Sequence, residues 1–288
     1  MFLTTQWSDF EVLDTGAGEK LERWGAYTLA RPDPQTIWPR ALADGEWERA
    51  DAHYLRSDRG GGRWDFKKAL PEEWTVACMG MRFYVRPTGF KHTGLFPEQA
   101  DNWAWMSGLI RARGGQPRVL NLFGYTGGAT VACAMAGAHV THVDAAKGMV
   151  QWARRNAELN HVREDSLRYI VEDASAFVRR ELRRGKSYDG ILMDPPSYGR
   201  GPNGEVWKLE NELYGLVELA AEALSDTPLF FLINSYTTGF QASVLTNIIN
   251  KTVGRRFGGT VDAQELCLPV RSGGVLPCGA SGRWSSAL

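Results

Sequence analysis

Apolar and polar positions occur in blocks from Arg118 onward, with short apolar runs separated by polar segments of helix length. Because the apolar runs lack strict alternation of apolar and polar residues, they are typical of strands buried on both faces. Repeated strand–helix pairs predict a parallel sheet covered by helices on both sides. The predicted strands cover 118–123, 139–144, 167–173, 188–194 and 229–236, and the predicted helices cover 127–137, 147–159, 174–184, 207–224 and 241–252.

Two extended segments, 259–270 and 274–284, follow the last of these helices. They are joined by Gly and Pro and stand too close together in sequence for a crossover helix, which predicts an antiparallel pair at one edge of the sheet. Together with the parallel strands, the pattern predicts an α/β fold. We expect a Rossmann-like, doubly wound, mostly parallel sheet of seven strands with an antiparallel edge strand.

The first part of the chain differs in composition, because Trp, Tyr, Gly and Pro are dense there. Short strand-like segments cover 10–15, 26–31, 47–55 and 75–87, with turn residues between them. This pattern predicts a small β-rich module. The sequence therefore predicts two domains: a β-rich module over 1–85, which is a candidate for substrate recognition, and the α/β domain over 86–288.

Composition and charge disfavour several classes of protein. Hydrophobic residues make up 43% and charged residues 23% of the chain, as in ordinary globular domains. The formal net charge is zero, so binding of a polyanion would need a local basic patch. The sequence has no apolar run of membrane-spanning length and no pattern of a secretory signal at its start. We therefore expect a cytoplasmic protein with no membrane partner.

The spacing of cysteine and histidine bears on metal binding. The four cysteines form no C-x-x-C pair, and the five histidines are scattered along the chain. These spacings predict neither a metal site nor a disulfide framework, and they favour a reducing compartment. The cysteines are Cys78, Cys133, Cys267 and Cys278.

A glycine-rich segment, NLFGYTGGAT over 121–130, comes directly after the first parallel strand and opens a helix. Glycines at this place let the backbone approach a ligand, and a helix N-terminus binds polar or anionic groups. Asp144 ends the second strand, twenty residues after Gly124. A carboxylate at this position commonly accepts hydrogen bonds from the hydroxyls of an adenosine ribose. The segment lacks the lysine of a P-loop, which disfavours ATP or GTP hydrolysis, whereas NAD(P) stays open on the loop alone.

The segment YDGILMDPPSYGRG, over 188–201, contains the candidate reaction centre. Its apolar strand brings Asp194 to the carboxyl end of the sheet, where open α/β sheets bind ligands. The two prolines fix the backbone and remove two N–H donors, so that the carbonyl groups can face an amine or a planar base. The tyrosine that follows offers a flat apolar face. The alternative interpretation of the whole segment is a turn with a purely structural role. The predicted catalytic residues are Asp194, Pro195, Pro196, Ser197 and Tyr198.

Four segments taken together resemble a known family. The segments are NLFGYTGGAT, THVDAAKGMVQWARRNAELN, IVEDASAFVRR and ILMDPPSYGRG. They resemble class I S-adenosylmethionine-dependent methyltransferases, and are most similar to the bacterial large-subunit (23S) ribosomal-RNA branch typified by the cytosine-C5 enzymes. The resemblance covers roughly residues 85–288, and a short β module before the catalytic domain also fits that branch. It implies S-adenosyl-L-methionine as the cofactor and ribosomal RNA as the methyl acceptor.

The resemblance also implies which residues bind the cofactor. The loop after the first strand lies against the methionine part in such enzymes, Asp144 holds the ribose, and the residues after the third strand lie at the adenine edge. Asp194 and Pro195 line the position of methyl transfer, and the segment 92–103 resembles one that lies across the cofactor. The cofactor-binding residues implied in this way are Thr93, Phe96, Gln99, Asn121, Phe123, Gly124, Tyr125, Thr126, Gly127, Asp144, Ala145, Asp173, Ala174 and Asp194.

The sequence departs from the cytosine-C5 enzymes at one position. Because cytosine C5 is a poor nucleophile, those enzymes first attack the ring with a cysteine thiolate. The family's cysteine is expected just past the fifth strand, where this chain has Asn234, Ser235 and Tyr236. Cys267 and Cys278 could reach the site only by a different route, and cysteine is more often a small buried hydrophobe. An exocyclic amine, a ring nitrogen or a hydroxyl therefore fits these residues better as the acceptor.

Basic and aromatic residues cluster before the cofactor domain. Such a mixture suits a phosphate chain with stacked bases, but acidic residues lie among them, and a solvated face over a local core explains the cluster equally well. The first hypothesis is thus methyl transfer to RNA. The alternatives are a small-molecule or protein acceptor, or a cofactor-binding module without turnover. The cluster contains Arg56, Arg59, Arg63, Lys67, Lys68, Arg82, Arg86 and Lys91 with Tyr54, Trp64 and Phe83.

Overall fold

The computed structural model describes residues 1–57, 61–200, 206–237 and 239–286. Arg59 of the predicted basic cluster therefore lies outside the described residues. The chain divides into two compact units. We call residues 2–101 with 267–278 the N-terminal unit, and residues 102–266 with 279–288 and Met1 the C-terminal unit. The domain boundary near residue 85 stays a prediction.

The N-terminal unit is mostly β structure. Its strands are β1 (Phe2–Leu3), β2 (Phe10–Gly16), β3 (Glu19–Trp24), β4 (Tyr27–Pro32), β5 (Ala52–Arg56), β6 (Gly62–Phe66), β7 (Trp74–Cys78) and β8 (Met81–Val85). Strands β2 to β6 form one sheet in chain order, in which β4 and β5 run parallel and the other neighbours run antiparallel. Strands β7 and β8 form a separate hairpin. The short helix α1 (Asp44–Glu48) places Trp47 on a core with Leu13, Leu21 and Ala30.

The C-terminal unit alternates strands and helices, as the sequence pattern predicts. The helices are α2 (Ala100–Arg113), α3 (Gly128–Met135), α4 (Lys147–Leu159), α5 (Ala174–Arg183), α6 (Leu209–Glu222), α7 (Ala242–Ile249) and α8 (Arg255–Phe257). The strands are β9 (Arg118–Leu122), β10 (His139–Asp144), β11 (Leu167–Val171), β12 (Gly190–Met193), β13 (Tyr198–Arg200), β14 (Val206–Lys208), β15 (Phe230–Ser235), β16 (Thr260–Pro269) and β17 (Val275–Ser285). Residues 267–269 of β16 and 275–278 of β17 are assigned to the N-terminal unit.

The main sheet has the strand order β1-β16-β17-β15-β12-β9-β10-β11. Strands β15, β12, β9, β10 and β11 are parallel, and β17 is antiparallel to β15. The predicted mostly parallel α/β sheet with antiparallel strands near one edge is therefore confirmed. The two-residue strand β1 adds an eighth strand, and it is too short to be predicted from a hydrophobic pattern.

Burial explains why the parallel strands have no alternation of apolar and polar residues. All residues of β12 and β15 are buried, because helices cover both faces of the sheet. On one face, Phe177 of α5, Phe231 of β15 and Trp284 of β17 share a core with the apolar side of α6. A side chain at Gly190 would clash with the neighbouring strand, because its Cβ would lie 2.5 Å from the ring of Phe230.

Candidate functional site

The strand order of the main sheet reverses beside β9. From β9 the chain adds β10 and β11 on one side, and it then crosses to β12 and β15 on the other side. Open α/β sheets bind ligands at such a reversal, outside the carboxyl ends of the strands. The predicted segments 121–127, 144–145, 173–174 and 194–198 lie at the carboxyl ends of the four adjacent strands β9, β10, β11 and β12. The structure therefore brings these four segments to the same edge of the sheet.

The loop after β9 has a strained and firmly held backbone. Phe123 and Tyr125 have φ values of 57° and 50°, in the left-handed region that side chains other than glycine rarely adopt. Each such residue costs on the order of 1–3 kcal/mol and persists where its surroundings impose it. Here the Gly124 N–H donates to the carbonyl of Val143 at 2.9 Å, and the buried Asn156 side chain donates to the carbonyl of Thr126 at 2.8 Å. The loop is thus preorganised.

A buried hydrogen-bonded chain lies beneath this loop. The Asn121 amide donates to Thr130 Oγ1 at 2.9 Å, and Thr130 Oγ1 is 2.8 Å from Nδ1 of His142. Because the threonine oxygen accepts from Asn121, its own hydrogen is available to donate to Nδ1. Burial lowers the pKa of His142 to about 4, so the imidazole is neutral at neutral pH. Nε2 has no hydrogen-bond partner among the residues that the structure describes.

The histidine ring explains one glycine of the loop. A Cβ built on Gly124 would lie 2.4 Å from both Cε1 and Nδ1 of His142, closer than side-chain atoms pack. We therefore expect Gly124→Ala to lower the free energy of unfolding by about 1–3 kcal/mol through overpacking. Urea unfolding followed by circular dichroism measures this difference.

A matched control for this substitution is Gly148→Ala in α4. Gly148 is exposed, and a Cβ there meets nothing within 4 Å, so the free energy of unfolding should stay the same or rise. Equal stability of the Gly124→Ala variant and the wild-type chain would contradict the close fit between Gly124 and His142.

Asp144 has an arrangement that suits a ligand with two hydroxyl groups. Its Oδ2 accepts from the N–H of Tyr125 at 2.9 Å, and its Oδ1 accepts from the N–H of Ala146 at 2.8 Å. A carboxylate has about four lone-pair sites, and these two bonds occupy about half of them. Burial raises the pKa of Asp144, and the two backbone hydrogen bonds only partly oppose this effect. The carboxylate therefore has both the capacity and the electrostatic need for further donors. Ala145, the next residue, is exposed.

Asp173 has a structural role that the sequence interpretation did not include. It is the N-cap of α5, and its Oδ1 accepts from the N–H of Ala176 at 2.9 Å. Ala174 begins the helix and is buried. The N–H of Glu172 donates to the carbonyl of Asp144 at 3.2 Å, so the ends of β10 and β11 are joined at this point.

The turn after β12 is braced from two directions. The indole N–H of Trp207 donates to the carbonyl of Pro196 at 2.7 Å, and Thr237 Oγ1 donates to Ser197 Oγ at 2.6 Å. Asp194 is half-buried, Pro195 is buried, and Pro196 to Tyr198 are exposed. The Pro196 carbonyl therefore already has a donor. Tyr198 starts the hairpin β13–β14 and is 53% exposed, so its ring is accessible to a planar group.

A buried polar network occupies the end of β15, where a cysteine would be expected in a cytosine-C5 enzyme. The Asn102 amide donates to Oδ1 of Asn234 at 3.0 Å. Oδ1 of Asn102 accepts from Ser281 at 3.1 Å and from Nε of Arg283 at 2.7 Å. Asn234 is thus part of the structural hydrogen bonding of the sheet.

Three of the predicted cofactor residues, Thr93, Phe96 and Gln99, lie in the N-terminal unit. Thr93 is buried, and its Oγ1 has no partner within the described ranges. The ring of Phe96 packs 5.4 Å from that of His92, and Gln99 is buried at the end of the 3₁₀ turn Pro97–Gln99. Their role toward the cofactor stays a prediction.

Neither Cys267 nor Cys278 has the features of a nucleophile. Cys267 is buried in β16, and burial raises the pKa of the Cys278 thiol well above its usual range. Because the thiolate is the reactive form, this environment disfavours attack by Cys278.

Within the described part of the chain, no group of three or more His, Cys, Asp or Glu side chains could hold a metal ion. Nor does that part contain a helix long and apolar enough to cross a membrane.

Comparison with known proteins gives consistent matches. The model of the S-adenosylmethionine-dependent methyltransferase family matches residues 39–223. The crystal structure of the SAM-dependent methyltransferase from Agrobacterium tumefaciens is 38% identical, with a TM-score of 0.94. That match covers 99% of this chain and 93% of the bacterial protein.

Curated relatives also match. Ribosomal RNA large subunit methyltransferase K/L of Magnetococcus marinus is 30% identical over 65% of this chain and 26% of its own length. Ribosomal RNA large subunit methyltransferase K of Neisseria meningitidis is 25% identical over 75% of this chain and 62% of its own length. The chain thus spans less than two thirds of either curated relative. The family model and the match over nearly the whole chain show that this chain belongs to the S-adenosylmethionine-dependent methyltransferases.

Proposed function

We propose that this chain transfers a methyl group from S-adenosylmethionine to ribosomal RNA. The observation that carries the proposal is the placement of the Asp144 carboxylate and the Asp194–Pro195 turn at the same edge of the sheet, beside the strained loop after β9. The names of the curated relatives support RNA as the acceptor, since both are large-subunit ribosomal-RNA methyltransferases.

The residues at this edge fit the cofactor. The lone pairs of Asp144 that no backbone N–H occupies suit the two ribose hydroxyls. We assign the loop from Asn121 to Gly127 to the methionine part, and Asp173 with Ala174 to the adenine edge. When bound, S-adenosylmethionine supplies an electrophilic methyl group on a sulfonium centre. The contribution of the chain is then mainly to hold the acceptor atom opposite the sulfonium leaving group, in line with the methyl carbon.

Asp194 and Tyr198 are the residues that we assign to the acceptor. The half-buried Asp194 carboxylate can accept a hydrogen bond from an amine or hydroxyl and so orient its lone pair toward the methyl group. The exposed ring of Tyr198 can stack against a planar base. Because Asn234, Ser235 and Tyr236 stand where the cysteine is expected, the acceptor atom in this proposal is one that needs no covalent activation, such as a nitrogen or an oxygen.

A small-molecule or protein acceptor is the second candidate, and the formal net charge of zero favours it. Mass spectrometry of nucleosides from ribosomal RNA separates the two. Cells that lack this protein should lose one methylated nucleoside, and the wild-type gene should restore it, whereas Asp194→Asn should not. Identical nucleoside profiles with and without the protein would rule out RNA as the acceptor.

A further inference from the structure

One face of the β5–β6 hairpin combines aromatic and cationic side chains. Tyr54 is paired with Trp64, and the alternation of side chains along each strand places Arg56 and Phe66 on the same face as this pair. The ring of Trp64 packs edge-on against Tyr54 at 5.4 Å, and Phe66 stacks on Trp64 at 6.3 Å with an interplanar angle of 27°. Tyr54 is buried, whereas Phe66 is 52% exposed. The stack is therefore anchored in the core and open to solvent at its outer end.

The turn 88–92 is fixed to the same hairpin. The indole N–H of Trp64 donates to the carbonyl of Thr88 at 2.9 Å and to that of Phe90 at 3.3 Å. The guanidinium of Arg31 donates to the carbonyl of Lys91 at 2.8 Å. Phe90 is 67% exposed at the tip of this turn. A second accessible aromatic ring thus belongs to a turn that is bonded directly to the first stack.

The charges near this turn are not balanced locally. Burial lowers the pKa of Lys91, and the neighbouring cations Lys20, Arg31 and Arg56 lower it further, while Asp33 opposes this. The acidic neighbours already have partners, since Glu22 binds Arg31 at 2.7 Å and Asp33 binds Lys20 at 3.2 Å. In the described ranges, no carboxylate lies within salt-bridge distance of Arg56 or Lys91. An anionic ligand would supply the missing negative charge.

We propose that Arg56, Trp64, Phe66, Phe90 and Lys91 form an aromatic–cationic surface that binds single-stranded RNA, with bases stacked on Phe66 and Phe90 and phosphates at Arg56 and Lys91. The inference rests on the proposed RNA substrate and adds where the strand is held. Flat accessible rings beside unpaired cations are typical of single-strand recognition. Interfaces between proteins, in contrast, are depleted of lysine at their centres.

Fluorescence anisotropy with a labelled oligouridylate of about ten nucleotides tests the surface. Phe66→Ala and Phe90→Ala should each weaken binding by about 5- to 100-fold, the loss that corresponds to one stacked base. Arg56→Gln should reduce the slope of log affinity against log salt concentration by about 0.7, because one phosphate contact is lost. All three side chains are exposed or at the surface edge of the stack, so the midpoints of urea unfolding should match that of the wild-type chain.

Matched controls come from the other face of the same hairpin, which carries Leu55 and Arg63. Both side chains are exposed, and we expect Leu55→Ala and Arg63→Gln to keep the wild-type affinity and salt slope. Equal losses for Arg63→Gln and Arg56→Gln would overturn the proposal. Absence of oligonucleotide binding by the wild-type chain would also overturn it and leave a protein as the partner of this surface.

Label transfer to ribosomal RNA separates this inference from the proposed function. If the wild-type chain methylates RNA and the Phe66→Ala and Phe90→Ala variants bind RNA normally, the assignment of the RNA-binding surface is wrong and the proposed function is supported. If the oligonucleotide binds at this surface but labelled methyl groups pass only to protein, the assignment of the surface is supported and the proposed methyl acceptor is wrong.

Discussion

Replacing Asp144 with Asn is expected to weaken S-adenosylmethionine binding by about 100-fold or more while the fold stays intact. The asparagine has one acceptor oxygen instead of two, and its NH₂ group faces either the Tyr125 N–H or the Ala146 N–H, where two donors conflict. Hydrogen bonds to a charged group contribute about 1.5–3 kcal/mol each, so losing the bonds to a ribose should weaken binding by about 100-fold or more. Isothermal titration calorimetry measures this loss.

The raised pKa of Asp144 gives the same variant a second signature. Because burial makes the folded chain hold this proton more tightly than the unfolded chain, the ionised carboxylate opposes folding, and this cost appears as pH rises through the pKa range. Without cofactor, the urea midpoint of the wild-type chain should thus contain a component that falls as pH rises through this range, and Asp144→Asn should lack that component. Cofactor binding by the wild-type chain should weaken as pH falls and the carboxylate is protonated.

Glu210→Gln on α6 is the control for Asp144→Asn, because it removes an exposed carboxylate and should leave cofactor affinity unchanged. Wild-type cofactor affinity in the Asp144→Asn chain would contradict the assignment of the ribose site.

Replacing Asp194 with Asn should slow methyl transfer by about 100-fold or more and change cofactor affinity less than about threefold. The asparagine keeps the shape of the turn and removes the negative charge that orients the acceptor, and misplacement of a reacting atom by about 1 Å has a cost of this size. Single-turnover label transfer measures the rate, and calorimetry measures the affinity. If the turn were only structural, the variant would transfer the methyl group at the wild-type rate, or it would lose stability and affinity together.

The parallel strands and helices α3 to α7 could be predicted because burial on both faces of the sheet leaves a clear apolar pattern. The pattern does not predict helices α2 and α8 or the hairpin β13–β14, and residues 207–208, which the predicted helix 207–224 includes, belong to β14. The same reasoning missed β3 and β6 in the N-terminal unit. β3 (EKLERW) is rich in charged residues, and all four of them, Glu19, Lys20, Glu22 and Arg23, form ion pairs inside the unit. β6 is an edge strand with mostly exposed side chains, so its sequence has little apolar content to detect.

Part of the candidate site could likewise be predicted from position alone. Asp144 ends β10 and Asp194 directly follows β12, and the sheet topology then brings both carboxylates to one edge. His142 and Thr130 could not be predicted as supports of the loop, because their hydrogen bond joins a strand to a helix. The brace of Ser197 by Thr237 joins residues forty positions apart and depends on the completed fold.

The most direct test of the account is transfer of labelled methyl groups from S-adenosylmethionine to deproteinised ribosomal RNA by the purified chain. The wild-type chain should label one nucleoside at a nitrogen or oxygen atom, and Asp144→Asn and Asp194→Asn should not label it. Equal labelling by the three chains, or labelling by the wild-type chain of protein alone, would contradict the account.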